Sequence, residues 1–119
     1  MRNPLVSIIM GAYNCESTIT ECINSVINQT YKNWEFIICD DCSKDSTRKI
    51  LLEYTAKDER IHIISNDRNS RLAASLNNCL GLAKGKYVAR MDADDTCMPE
   101  RLQKQVDFME ENPEYDCVG

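Results

Sequence analysis

Glycine is scarce, with four residues in 119, at positions 11, 81, 85 and 119. A dinucleotide-binding turn needs a G-x-G-x-x-G run after a strand, so that class of oxidoreductase is excluded. Histidine is scarcer still, with His62 alone. Cys39-Asp40-Asp41-Cys42 forms a C-x-x-C, but there is no second such pair to complete a structural zinc site. No basic stripe runs along the chain. Its 14 Lys and Arg are scattered among 19 Asp and Glu, for a net charge of -5, which argues against a nucleic-acid partner. A small anionic ligand would need a metal ion or backbone donors to offset the acids. Long apolar runs are absent as well. Residues 5–10 lack the basic lead-in and length of a secretory signal and fall far short of the roughly 20 residues of a membrane span. These absences predict a soluble, cytoplasmic chain.

What is present is ordinary for one globular domain: 43% hydrophobic and 28% charged residues. Seven cysteines, an odd number, fall at 15, 22, 39, 42, 79, 97 and 117, mostly inside apolar patterns. Buried free thiols in a reducing compartment account for them.

Periodicity alternates along the chain. Residues 5–10 (LVSIIM) read as a buried strand, broken by Gly11-Ala12-Tyr13-Asn14. Ile19, Cys22, Ile23, Val26 and Ile27 recur at helical spacing, with Ser17 or Thr18 as cap and Glu21 following. Residues 34–39 (WEFIIC) read as a second strand. Asp45 or Ser46 can cap a second helix carrying Ile50, Leu51 and Tyr54. Residues 61–64 give a third strand and 65–71 a loop. Leu72, Leu76, Cys79, Leu80 and Ala83 then share one face of a third helix that Gly85 stops. Residues 86–91 (KYVARM) give a fourth strand. Pro99 opens a fourth helix with Leu102, Val106 and Met109 as its inner stripe, and Asn112-Pro113 ends it. Residues 115–118 start another strand. This alternation predicts an α/β fold, Rossmann-like, with a mostly parallel sheet and flanking helices. Ending on a new strand reads as truncation.

In such folds ligands bind at the carboxyl ends of the strands. Three ends are polar: Gly11-Ala12-Tyr13-Asn14, Asp40-Asp41, and Asp92-Ala93-Asp94-Asp95. Parallel strands gather them on one rim, where like charges repel unless a cation is present. On an extended segment Asp92 and Asp94 would point the same way. Carboxylates suit Mg²⁺ or Mn²⁺, which can bridge to a diphosphate and neutralise it as a leaving group. Each piece also has a plainer reading. The acidic triplet fits a solvated loop, Asp40-Asp41 a capping turn, Tyr13 a half-buried aromatic, and Arg71 a surface charge rather than a diphosphate partner.

Four blocks in order, VSIIMGAYN, SVINQTYKNWEFIICDDCSKDST, LAASLNNCLGLAKGKYVARMDADD and PERLQKQVDFME, resemble the family 2 glycosyltransferases of GT-A fold over nearly the whole chain. The resemblance implies an N-terminal nucleotide-diphospho-sugar-binding part spanning 1–119, with the acceptor-binding part absent. It implies that the Ala12 backbone, the Tyr13 ring and the Asn14 loop meet the nucleotide, and that Asp41 reaches base or ribose. It further implies that Asp92 contacts ribose or sugar, that Asp94, with Asp92, serves the metal, that Asp95 touches the donor sugar, and that Arg71 contacts diphosphate or sugar. The general base of an inverting displacement would lie beyond Gly119, so the isolated chain is expected to be inactive. Donor (a UDP-sugar first), Mn²⁺ or Mg²⁺, and an acceptor such as a lipid-linked sugar or bacterial cell-surface polysaccharide complete the expectation. The full-length protein would then work at the inner face of the membrane. Apolar surface left without its partner predicts a homodimer of the fragment.

Rival readings are weaker. Asp92-Ala93-Asp94-Asp95-Thr96 echoes the DxDGT loop of haloacid-dehalogenase-like phosphatases, but Asp95 replaces the glycine and the loop follows the fourth strand instead of the first. A calcium loop needs glycine and an acid where Cys97 and Gln103 stand. A non-catalytic nucleotide-binding or scaffold module differs from an enzyme only in what the acidic residues do.

Overall fold

The computed structural model describes residues 3–113. Eight elements alternate along it: β1 (Val6–Ala12), α1 (Ile19–Ile27), β2 (Trp34–Asp40), α2 (Thr47–Lys57), β3 (Ile61–Ser65), α3 (Arg71–Leu82), β4 (Tyr87–Arg90) and α4 (Arg101–Glu111). Among the described residues the sheet has four strands in the order β3-β2-β1-β4. All pairings are parallel. β1 runs beside β2 from Val6 opposite Trp34 to Ala12 opposite Asp40, and beside β4 from Val6 opposite Tyr87 to Ile9 opposite Arg90. Tertiary pairing thus confirms the α/β reading of the alternating pattern.

One strand serves two layers because side chains alternate across a sheet. Val6, Ile8, Met10 and Ala12 of β1 join Ile23 of α1, Leu51 of α2 and Leu102 and Val106 of α4 in the larger core. Ile9 faces the other way, with Ile37, Cys79 and Leu76 under α3. Fully buried side chains such as Met10, Phe36 and Ile38 each contribute roughly 1.5–3 kcal/mol by leaving water. Among the described residues α3 is the one helix on its face, because the connections reverse direction after β3. The sheet grows outward through β2 to β3, then returns past β1 to β4. That reversal makes the gap between β1 and β4 a topological switch point.

Several sequence expectations need correction. Gly11 does not break β1, which runs on to Ala12 with Gly11 opposite Cys39. Glycine is there for clearance, since a Cβ would meet Leu72 Cδ1 at 2.8 Å and Ser75 Cβ at 3.3 Å. Leu72 and Leu80 of α3 are not inner residues but are 46% and 50% exposed, because Ser75 and Cys79 take the buried face. Pro99 does not open α4, which begins at Arg101 after a turn. Neither Thr18 nor Ser46 caps its helix by side chain. Asp45 does bond the Thr47 N–H, at 2.9 Å. The strand expected at 115–118 lies outside the described residues.

Candidate functional site

The loops after β1 and β2 are laced together along the carboxyl edge. The backbone N–H of Asn14 donates to Ser43 Oγ at 3.1 Å, and Asn14 Oδ1 accepts from the Lys44 N–H at 2.8 Å. Cys15 N–H donates to Thr47 Oγ1 at 2.9 Å. Glu16 and Asp45 complete the stitching, Glu16 N–H to Asp45 Oδ2 and Ser46 N–H to Glu16 Oε2. The expected nucleotide loop is therefore a fixed plate. Ala12 is buried at its root, and Tyr13 stands out from it, 45% exposed.

Asp40 and Asp41 follow β2 and are both buried. Asp40 Oδ1 accepts the Ser43 N–H at 3.2 Å, closing its own turn. Asp41 is more heavily engaged. Its Oδ1 accepts from the Ser70 N–H at 2.7 Å and from Asn66 Nδ2 at 2.8 Å, and its Oδ2 accepts the Arg71 N–H at 2.8 Å. The carboxylate thus caps the start of α3, where backbone donors have no partner inside the helix. Burial pushes its pKa up, but the Ser70, Asn66 and Arg71 donors outweigh that and hold it below the ordinary value. The remaining lone pairs of Oδ2 are what it can offer a ligand.

Asn66 was missed in the sequence. It bonds Asp41 and, through the same Nδ2, Ser75 Oγ at 3.0 Å, while its Oδ1 accepts from Asn78 Nδ2 at 2.9 Å. No local pattern marks it, because its partners lie on β2 and α3.

Residues 92–95 form a tight turn, with the Asp95 N–H donating to Asp92 O at 3.0 Å. The expectation of an extended Asp92-Ala93-Asp94 is therefore corrected, and the alternation argument for their shared direction no longer applies. Asp92, Asp94 and Asp95 are all exposed. Asp92 pairs with Arg90 at 3.2 Å, between half-exposed side chains. No hydrogen bond or ion pair engages the Asp94 or Asp95 carboxylate among the described residues. Their neighbour β4 lies across the switch point from the Tyr13 loop.

Arg71 begins α3 with φ 72, and its guanidinium is exposed. Asn14 (φ 46) and Cys42 (φ 61) are the other non-glycine residues with positive φ among the described residues. Asn14 and Cys42 stand in the loops after β1 and β2, and Arg71 where the loop after β3 enters α3. Such conformations cost on the order of 1–3 kcal/mol each and gather at ligand sites.

Strand order and flanking helices together define a Rossmann-like α/β domain. Residues 7–119 match glycosyl transferase family 2, and the chain belongs to that family. EpsE of Bacillus subtilis (strain 168), named as a glycosyltransferase, is 54% identical over 117 residues, covering 98% of this chain and 42% of that protein. WfgD of Escherichia coli, a UDP-Glc:alpha-D-GlcNAc-diphosphoundecaprenol beta-1,3-glucosyltransferase, is 42% identical over 112 residues, covering 94% of this chain and 44% of that one. The crystal structure of S. aureus TarS 1-349 with UDP-GlcNAc superposes with a TM-score of 0.86 at 32% identity, over 91% of this chain and 32% of that TarS 1-349 chain. The architecture is of GT-A type, and the chain spans less than half the length of these proteins.

Proposed function

We propose that this chain supplies the donor-binding half of an inverting glycosyltransferase, holding a UDP-sugar at the crevice between β1 and β4. The observation that carries the reading is the pair of free carboxylates, Asp94 and Asp95, exposed on the turn that borders the switch point. The likeness to TarS, solved with UDP-GlcNAc, supports the choice of donor. Tyr13, with the Ala12 backbone, receives the base. Asn14 and Asp41 shape that pocket. Arg71 faces the diphosphate or sugar, and Asp92 and Asp95 the ribose and sugar.

Hard oxygen donors that are free of protein cations fit Mn²⁺ or Mg²⁺, which bind through one or two carboxylates plus substrate phosphates. Asp94 would hold the ion, with Asp92 beside it. When bound, the ion offsets charge on the departing diphosphate. Acceptor activation belongs to residues of the longer protein. The acceptor in this reading is a lipid-linked sugar, a choice supported by the diphosphoundecaprenol acceptor in the name of WfgD, and the bacterial protein builds cell-surface polysaccharide at the inner face of the membrane. The free thiols suit the cytoplasm. A homodimer covers apolar surface that the rest of the longer protein would bury, such as Val88, 47% exposed; a monomeric mass by light scattering at micromolar concentration would count against it.

The test is calorimetric titration of UDP, then GDP, with and without Mn²⁺, on the chain and on Asp94→Ala. UDP binding that requires Mn²⁺ and vanishes in Asp94→Ala is expected. Tight metal-independent binding, or Asp94→Ala binding as well as the parent, would sink the metal-bridged reading. Binding of GDP alone would change the donor.

A further inference from the structure

α1 carries a polar edge beside its apolar stripe. Cys22 and Ser25 lie three apart on the helix, while Thr18 immediately precedes its first residue and Gln29 follows its last by two. Every one of them holds backbone of the segment after β4. Thr18 Oγ1 donates to Ala93 O at 3.1 Å. Cys22 Sγ reaches Asp92 O at 3.6 Å. Burial pushes the Cys22 thiol up to about 12, so it remains an S–H donor. Ser25 Oγ accepts the Cys97 N–H at 3.0 Å. Gln29, fully buried, donates to Met98 O at 2.7 Å and accepts the Leu102 N–H at 3.1 Å.

The two carbonyls gripped at the head of this ladder belong to the peptide planes on either side of Ala93. Holding both planes sets the Cα positions of Asp92 and Asp94, and with the Asp95 N–H on Asp92 O it restricts where their Cα–Cβ bonds leave the chain, while the carboxylates themselves stay open. We propose that Thr18 is a positioning residue of the donor site, which sets metal and nucleotide affinity by holding the Ala93 carbonyl against α1. The inference rests on the metal-bridged reading above and adds to it the device that orients the acidic turn. Groups that orient metal ligands from behind typically change affinity by about 10- to 100-fold, and a single hydroxyl on backbone belongs at the lower end, about tenfold.

The experiment compares the chain with Thr18→Val, Thr18→Ser and, as a control, Thr55→Val, whose hydroxyl bonds only Leu52 O within α2. Two readouts are taken. Amide hydrogen exchange at Asp95 reports the turn without any ligand. Titration of Mn²⁺ and then UDP reports the site. Thr18→Val should speed Asp95 exchange and weaken Mn²⁺-dependent UDP binding about tenfold with an unchanged melting temperature. Thr18→Ser should restore both, and Thr55→Val should alter neither. A merely structural bond would lower the melting temperature and leave affinity at the parent value, which overturns the proposal. So would unchanged exchange at Asp95 in a chain that still binds. If the parent chain itself binds no Mn²⁺–UDP, the donor-site reading fails first, and the positioning role falls with it.

Discussion

Asp41→Asn should destabilise the fold by about 2–4 kcal/mol, a large share of the roughly 5–15 kcal/mol that holds a domain together. The carboxylate is 4% exposed and accepts three hydrogen bonds of 2.7–2.8 Å. Asparagine keeps one carbonyl, which can serve Ser70 and Asn66, but it turns an NH₂ toward the Arg71 N–H. One charge-assisted bond, worth about 1.5–3 kcal/mol net, is lost, and the Arg71 N–H keeps only its longer 3.2 Å bond to Asn69 Oδ1 while it faces an NH₂. The favourable charge at the start of α3 goes too, at about 0.5–1 kcal/mol. Urea denaturation at pH 7 measures the sum. The effect also has a pH signature. Because the folded-state pKa lies below the ordinary carboxylate value, Asp41 contributes stability that is fully present above the unfolded value and is lost as pH falls through the folded one. The gap between parent and Asp41→Asn should hold constant from pH 7 to about 5 and shrink below about 4. A loss under about 1 kcal/mol at pH 7, or a gap that does not narrow toward pH 3, would refute the capping argument.

Arg71→Gly should stabilise the chain by roughly 1 kcal/mol in the same assay, since glycine adopts φ 72 without a Cβ penalty, and should weaken UDP binding if the guanidinium serves the diphosphate. Gly85→Ala should cost about 3 kcal/mol, because its Cβ would fall 2.6 Å from Ser7 N and 2.7 Å from Leu5 O, backbone atoms that cannot swing aside; a loss below about 1 kcal/mol would mean the turn shifts freely. In a thiol-reagent titration of the native chain, the buried Cys22, Cys39 and Cys79 should react only on unfolding, and the half-buried Cys15, Cys42 and Cys97 before it. Burial pushes Cys22 and Cys79 up to about 12 and about 11, leaving almost no thiolate to attack.

Local periodicity carried the architecture. Residues 5–10 and 34–39 are apolar runs too short for helices, and they became the two central strands because both faces of a parallel sheet are covered. The α1 stripe of Ile19, Cys22, Ile23 and Val26 is buried as its spacing predicted. α3 was harder. Its leucines outbid Ser75 on hydrophobicity, yet Ser75 is buried because it sits over Gly11 and bonds Asn66, facts that depend on a strand far away in the chain. The position of the acidic turn after β4 was legible, but its conformation was not. That depends on Thr18, Cys22, Ser25 and Gln29, whose partners lie 69–75 residues further on. Asp41 could be read equally as cap or as ligand contact, and in the fold its carboxylate caps α3.

The separation between α1 and the segment it holds also orders events as the chain is made. At roughly 5–20 residues per second a ribosome needs several seconds to pass from Thr18 to Ala93. Through that interval the β1–β2 pairing and the hydrogen bonds that join their loops can already form, since all their groups lie within the first 47 residues. The polar edge of α1 meanwhile faces water, and Gln29 has nothing to grip. Only when residues 93–102 emerge does the ladder close and the acidic turn take its shape. A newborn chain therefore joins the loops after β1 and β2 well before the acidic turn beside them takes its folded shape, and the two sides of that edge are completed in sequence order.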